Sequence, residues 1–442
     1  MNNKLCKQAL PHAVALALLG SAAVSHATVY VQCPGDSDGD AVIDTPDPNH
    51  PNAVCMHLTA GDSFVTMSDG NPLLTFGFGD RTGAAPGSVI ADGILASEWP
   101  GPTIVLDEGD EFYLSLTNVG TTMRPDLFDP HTVHFHGFPN AATVFDGVPE
   151  VSIAINMGST LTYYYNIVEP GTYIYHCHVE ASEHMEMGML ANLWVHAGQD
   201  ATGCSDPLLC PVATRKGGTE PGAPYGYAYN DDDGTSAYDV EEAIQLSSFD
   251  AKFHDASLFV QPLPFALLEA NYPMINGRGY PDTINPDNLP APRDNTVAVA
   301  GHPAGKVTGV AGADLNAEPY RAVGVSTQTM NTVISVTRGE KLLLRLSNVS
   351  IDRFFTLTAQ GLPMKIVGTG ARQMRGLDGK NLYRDVASVN FGGGETHDVI
   401  IDTADVAPGT YFLHAADLHQ MSNLTQLDGG MITEIVVTEP GV

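Results

Sequence analysis

Gly109–Val119 reads GDEFYLSLTNV, and Gly339–Val349 reads GEKLLLRLSNV. The likeness continues downstream, where Gly171–His176 reads GTYIYH and Gly409–His414 reads GTYFLH. The order is the same and the spacing similar, so the chain holds one domain twice rather than a solenoid of short repeats. Runs such as Lys341–Leu346 suit half-buried strands, and helix-period patterns are scarce. With 45 Gly and 30 Pro in 442 residues, the chain reads as a turn-rich, all-β protein of two Greek-key β-sandwich domains.

Working outward from the repeat gives the expected layout. Residues 61–200 form the first sandwich and 246–442 the second. Between them, 201–245 is rich in Gly, Pro and Ser, contains Asp231-Asp232-Asp233, and reads as a linker or long loop. Residues 28–60 are an Asp-rich lead-in. Residues 1–27 read as a signal peptide: Lys4 and Lys7 supply charge, Ala13–Val24 is apolar, and Ser25-His26-Ala27 offers a cleavage site. The apolar run is too short to span a bilayer. The expectation is a periplasmic or secreted protein with no membrane span.

The formal net charge of -31 comes from 51 acidic against 20 basic residues. Such a chain repels nucleic acid and anionic membranes and attracts cations. Export permits disulfides. Once Cys6 leaves with the leader, Cys33 with Cys55 and Cys204 with Cys210 form two local pairs, and Cys177 is left over.

The neighbours of Cys177 explain a retained thiol. His131-Thr-Val-His134-Phe-His136 precedes His176-Cys177-His178, followed by His184 and Met189. On strands, alternation decides which groups meet. His131 and Cys177 face one side, within reach of His184 and Met189. That set of thiolate, two imidazoles and thioether suits a blue-copper electron-transfer centre. His134, His136, His176 and His178 gather on the other face and suit one or two further copper ions. Peptide bonds join Cys177 to both flanking histidines. One Cys among six His fits zinc poorly.

These residues resemble the multicopper oxidase family, built from cupredoxin domains. The likeness covers most of the chain outside the leader, lead-in and linker. In the first domain it rests on Pro100-Gly-Pro-Thr-Ile104, Glu108-Gly-Asp110, HTVHFHG, Asp146-Gly-Val-Pro149 and GTYIYHCH. In the second it rests on Ile275-Asn-Gly-Arg-Gly-Tyr-Pro281, Val336–Asn348 and Gly394-Glu-Thr-His-Asp398. The resemblance implies type 1 copper on His131, Cys177, His184 and Met189, a type 2 ligand in His134, and type 3 ligands in His136, His176 and His178. It implies an oxidoreductase that takes single electrons from a small-molecule or metal-ion reductant and reduces oxygen. The gap from Cys177 to His184 is about two residues longer than the family's usual spacing, which makes Met187 the alternative axial ligand.

The second domain departs further. Phe355, Thr358 and Gln360 stand where the first has His131, His134 and His136; His414 matches His176, but Ala415 and Ala416 replace Cys177 and His178. A complete trinuclear cluster in that family takes histidines from two domains, so the second reads as a copper-free domain, with His397 and His419 as stray candidates. Three outcomes stay open. Copies could meet to complete a cluster; a neighbour could lend His414 or His419 to one type 2 copper, as in the trimeric copper nitrite reductases; or the chain is a non-enzymatic copper-binding electron carrier. A homo-oligomer, with a trimer favoured, is expected. His134 stands where nitrite reductases carry their catalytic Asp.

Two further features stand out. Asp36, Asp38, Asp40 and Asp44 resemble the calcium loops of thrombospondin type 3 repeats, with Ala41 in place of the usual Gly. Met185, Met187 and Met189 cluster beside His184, offering soft thioethers to Cu(I) or simple packing.

Overall fold

Both copies of the opening repeat form central strands, and each has the same kinds of neighbour. The structure is a computed structural model that describes residues 28–259, 262–290 and 326–441. The predicted leader lies outside the described residues. Strand β4 (Glu111–Gly120) runs parallel to β1 (Ala53–Thr66) and antiparallel to β6 (Thr160–Asn166). In the second copy, Lys341–Asn348 runs parallel to Val240–Phe249 and antiparallel to Thr396–Asp402. The repeated sequence encodes a repeated topology.

The first sandwich places the sheet β2 (Pro72–Asp80), β1, β4, β6 against the sheet β3 (Ile104–Asp107), β8 (Leu190–His196), β7 (Gly171–His176), β5 (His134–Phe135). Leu58, Phe76, Leu114 and Leu116 from one sheet and Tyr173, Tyr175, Leu193 and Val195 from the other fill its core, which includes Cys177, Met187 and Met189. The second sandwich packs the sheet containing Lys341–Asn348 against one in the order Val333–Thr337, Ile432–Thr438, Gly409–Ala415, Phe355–Ala359, Ser388–Phe391. The all-β expectation holds. The first strand already starts at Ala53, within the stretch read as lead-in, and Val240–Phe249 starts within the stretch read as linker.

One expectation is corrected. Lys341–Leu346 was expected to be half-buried, yet every residue from Leu342 to Asn348 is buried. One face of the strand enters its own core; the other lies against the first sandwich, where Arg345 Nη1 donates to Thr172 Oγ1 at 3.2 Å and Ser347 Oγ donates to Asn192 Oδ1 at 2.6 Å. Trp99, Ile174, Leu190, Phe249, Tyr272 and Met274 close the rest of this seam. Each such burial contributes roughly 1.5–3 kcal/mol, enough to fix the two sandwiches against each other.

The 201–239 stretch is mostly irregular, with one short hairpin of Gly226–Tyr227 and Ala237–Tyr238, and is held down at both ends of its path. Cys204 and Cys210 are bridged, and Tyr229 and Tyr238 are buried, with Tyr229 Oη donating to Asp398 at 2.5 Å. Cys33 and Cys55 form the other disulfide, and Cys177 is free and buried. Among the described residues no helix is long and apolar enough to cross a membrane.

Candidate metal centre

Cys177 follows the last residue of β7, at the edge of the first core. Its N–H donates to the Met189 carbonyl at 3.0 Å, and its Sγ accepts from the Thr132 N–H at 3.4 Å. His184 Nδ1 lies 3.2 Å from Sγ and His131 Nδ1 lies 3.8 Å from it. His131, Cys177 and His184 thus form one buried group of potential ligands. Burial alone would raise the Cys177 thiol, but the imidazoles of His184 and His131 outweigh it and hold the thiol at about 5. A buried thiolate between imidazoles suits a soft, positively charged metal.

The path from Cys177 to Met189 runs through a short helix. Ala181–Met187 is helical and carries His184; Gly188 caps it at φ 115°. A Cβ there would meet the Phe76 carbonyl oxygen at 2.8 Å, so the Gly before Met189 is required by backbone contact. Met187 and Met189 are both fully buried in the first core, while Met185 packs on the seam between the sandwiches.

His134, His136 and His176 form a second group. His134 and His176 pair directly across β5 and β7. Each ring has its Nδ1 on a main-chain carbonyl: His134 on Asp146 at 2.6 Å, His136 on Gly394 at 3.3 Å, His176 on Cys177 at 2.7 Å. A carbonyl only accepts, so these contacts place the proton on Nδ1 and leave each Nε2 a bare lone pair. His136 Nε2 and His176 Nε2 lie 2.9 Å apart. Two lone pairs so close repel unless a cation lies between them, and burial pushes His176 down to about 3, against a proton. A metal ion fits this donor set.

His131 and His134 do not lie on one strand: β5 covers only His134–Phe135, and His131 sits on an isolated bridge to Ile155. His178 lies past the end of β7. Its ring centroid is 5.0 Å from that of His134 and 5.6 Å from that of His176, beside the three-histidine group rather than within it.

A family model described as multicopper oxidase matches residues 90–200, and a second with the same description matches residues 270–441. The chain belongs to the multicopper oxidase family. It is 29% identical to Laccase-1 of Emericella nidulans over 130 residues, 29% of this chain and 19% of that protein. It is 38% identical to L-ascorbate oxidase of Cucumis sativus over 87 residues, 19% of this chain and 14% of that protein. The match thus spans a fifth or less of the length of these curated relatives. Blue Copper Oxidase from Nitrosomonas europaea has a similar fold, with a TM-score of 0.55 at 20% identity over 86% of this chain and 85% of that one.

Among the described residues the second sandwich repeats the scaffold but not the grouping of histidines. Thr358 pairs with His414 across its strands, in the register that joins His134 to His176 in the first. His419 is 98% exposed beside Asp417, and His397 stands edge-on to Phe391. Among the described residues no group of three metal-ligating side chains forms in this half.

The Asp-rich loop brings oxygens of Asp36, Asp38 and Asp40 together, but Asp44 stands apart and accepts from Ser37 N–H and Oγ at 2.9 and 2.5 Å. Asp36 already accepts the N–H groups of Gly39 and Ala41.

Several residues behind the ligands carry no sequence signal of their own. Asp129 stands behind His131 and His184. Glu186, between His184 and Met189, is buried and accepts the Asp250 N–H at 2.7 Å, tying the ligand loop to the second half of the chain. The Asp146 and Gly394 carbonyls lie in motifs that carried the family likeness, and their task is now visible: they orient His134 and His136.

Proposed function

We propose that the chain is an exported copper-dependent oxidoreductase of the multicopper oxidase type. In this reading it takes single electrons from a small-molecule or metal-ion reductant and passes them to a histidine-held copper site where oxygen is reduced. The observation that carries the reading is the position of two neighbours in the chain. The Cys177 thiol belongs to one ligand group and the His176 imidazole to the other, so a single peptide unit links them. His131, Cys177, His184 and Met189 would hold type 1 copper, and His134, His136, His176 and His178 one or more further copper ions. Copper, when bound, supplies the one-electron chemistry at both ends. The chain's own residues hold the donors in place, shield the thiolate from water and give electrons a covalent path between the groups.

The second sandwich offers only His414 at the matching place, so a neighbouring chain would complete the histidine-held site, and a trimer is the favoured assembly. The test is copper stoichiometry with electron paramagnetic resonance and oxygen uptake on the purified oligomer. Type 1 and type 2 signals together with oxygen consumption are expected. One copper per chain without oxygen uptake would make the protein an electron carrier, and nitrite turnover without oxygen turnover would make it a nitrite reductase.

A further inference from the structure

Asp129 lies two residues before His131, on the side of the imidazoles away from Cys177. His184 reaches Cys177 with Nδ1 and holds Asp129 Oδ1 with Nε2 at 3.1 Å. His131 repeats the arrangement: Nδ1 faces the thiol, and Nε2 lies 3.8 Å from Asp129 Oδ2. His131 Nε2 and Asp129 Oδ2 are buried and have no hydrogen-bond partner, so at 3.8 Å the carboxylate faces this ring without yet bonding to it. The Asp129 side chain is only 8% exposed. Its backbone is clamped, because Asn118 Nδ2 donates to the Asp129 carbonyl at 2.7 Å. The nearby guanidinium of Arg124 is committed to Asp126 at 2.8 Å and to the Ser257 and Phe259 carbonyls. One buried carboxylate therefore backs both imidazoles.

We propose that Asp129 is the positioning residue of the thiolate group: it turns both imidazoles with Nδ1 toward the metal and sets the reduction potential of copper held there. The proposal rests on the type 1 reading above. A carboxylate on the remote nitrogen fixes the tautomer and ring orientation of a metal-bound histidine and raises its basicity. A fixed negative charge in a poorly solvated site favours Cu(II) over Cu(I), and so lowers the potential. The same contact seals the imidazole edges, so an outside reductant cannot hydrogen-bond to them.

The test uses the copper-loaded full chain and follows the thiolate-to-copper absorption against a fixed redox buffer. Asp129→Asn should move the ratio of oxidised to reduced copper at least tenfold toward reduced, equivalent to 59 mV for one electron. Asp129→Glu should lie closer to the native protein than Asp129→Asn does. Asp126→Asn, the exposed neighbour, should change the ratio less than twofold. A ratio within twofold of native in Asp129→Asn overturns the proposal, as does an equal shift in Asp126→Asn. A second measurement needs no variant: in the Cu(I) protein the His184 Nε2–H should survive transfer to deuterium oxide long enough to be recorded, and its loss within the dead time overturns the proposal. A native protein without intense blue absorption overturns this proposal and the type 1 reading together, whereas a blue native protein with an unshifted Asp129→Asn overturns this one alone.

Discussion

His176 and His414 occupy the same place in the two sandwiches and orient their rings alike. Each is the sixth residue of a strand that begins Gly-Thr-Tyr, and each sets its Nδ1 on the carbonyl of the following residue, at 2.7 Å in His176 and 2.8 Å in His414. What differs is what stands across from them. His176 faces His134 and finds His136 Nε2 at 2.9 Å; His414 faces Thr358 and is followed by Ala415 and Ala416. The backbone device that bares a histidine Nε2 is thus a property of the repeated fold, and among the described residues only the first copy surrounds it with further histidines.

Two ligand groups joined by one peptide unit should fail independently. Cys177→Ser should abolish the blue absorption while copper at His134, His136 and His176 remains. His136→Ala should lower the copper count per chain and stop oxygen uptake while the blue absorption persists. Absorption spectra with metal analysis on both variants check this, and loss of both signals in either variant would argue against separate sites.

Gly147 should control the three-histidine group without being a ligand. It has φ 79°, and a Cβ there would collide with the Val133 carbonyl and approach the His134 N–H nitrogen to 2.9 Å. The adjacent Asp146 carbonyl is the one that holds His134 Nδ1. Gly147→Ala should cost about 1–3 kcal/mol of stability through backbone strain and weaken copper binding at this group about tenfold or more. Copper titration of the metal-free variant measures it; native affinity would show that the Asp146 contact is dispensable.

The ligands were legible in the sequence because they are local: three histidines lie within His131–His136 and the thiol between His176 and His178. The duplicated sandwich was legible because GDEFYLSLTNV and GEKLLLRLSNV share one pattern. What was not legible is long-range. Asp129 gives no signal until its carboxylate is seen to reach His184, 55 residues on. Arg345 breaks the apolar run of its strand, and nothing local shows that Glu241 and Asp398 await it on the two neighbouring strands of its sheet. The half-buried reading of that strand failed for the same reason: the second face is covered by a different part of the chain.

That seam makes an acid-sensitivity prediction. Arg345 Nε donates to Glu241 at 2.8 Å, His196 Nε2 contacts the same carboxylate at 2.7 Å, and Arg345 lies over the Trp194 ring. Burial alone would raise Glu241, but Arg345 and His196 outweigh it and hold it at about 2. A depressed carboxylate contributes stability above its unfolded value, and that contribution is lost as pH falls through the folded one. About 3 kcal/mol should therefore disappear between roughly pH 4.5 and pH 2. Glu241→Gln should lose about 3 kcal/mol at neutral pH by leaving buried Arg345 with Asp398 as its one remaining carboxylate, and should flatten the acid limb. Denaturant titrations across that window are decisive, and a variant as stable as native would refute the pairing.

Asp62 should behave in the opposite sense. It is fully buried; Oδ2 accepts the Met123 N–H at 2.6 Å and Oδ1 has no partner. Burial raises its carboxyl to about 6, more than the N–H donors of Met123 and Thr122 bring it down. A carboxyl raised on folding gives the most stability below its unfolded value, and this is lost as pH rises through the folded value. An Asn at this position keeps the acceptor for Met123 and carries no charge. Asp62→Asn should be more stable than native at pH 8, by up to ~3 kcal/mol, and the gain should vanish near pH 4. Because Asp62 anchors the turn leading to Asp129 and His131 without touching either ligand group, the blue absorption should be unchanged. Thermal melts at the two pH values, recorded with the spectrum, check both halves, and an Asp62→Asn protein less stable than native at pH 8 would show that the charged form is stabilised in the fold.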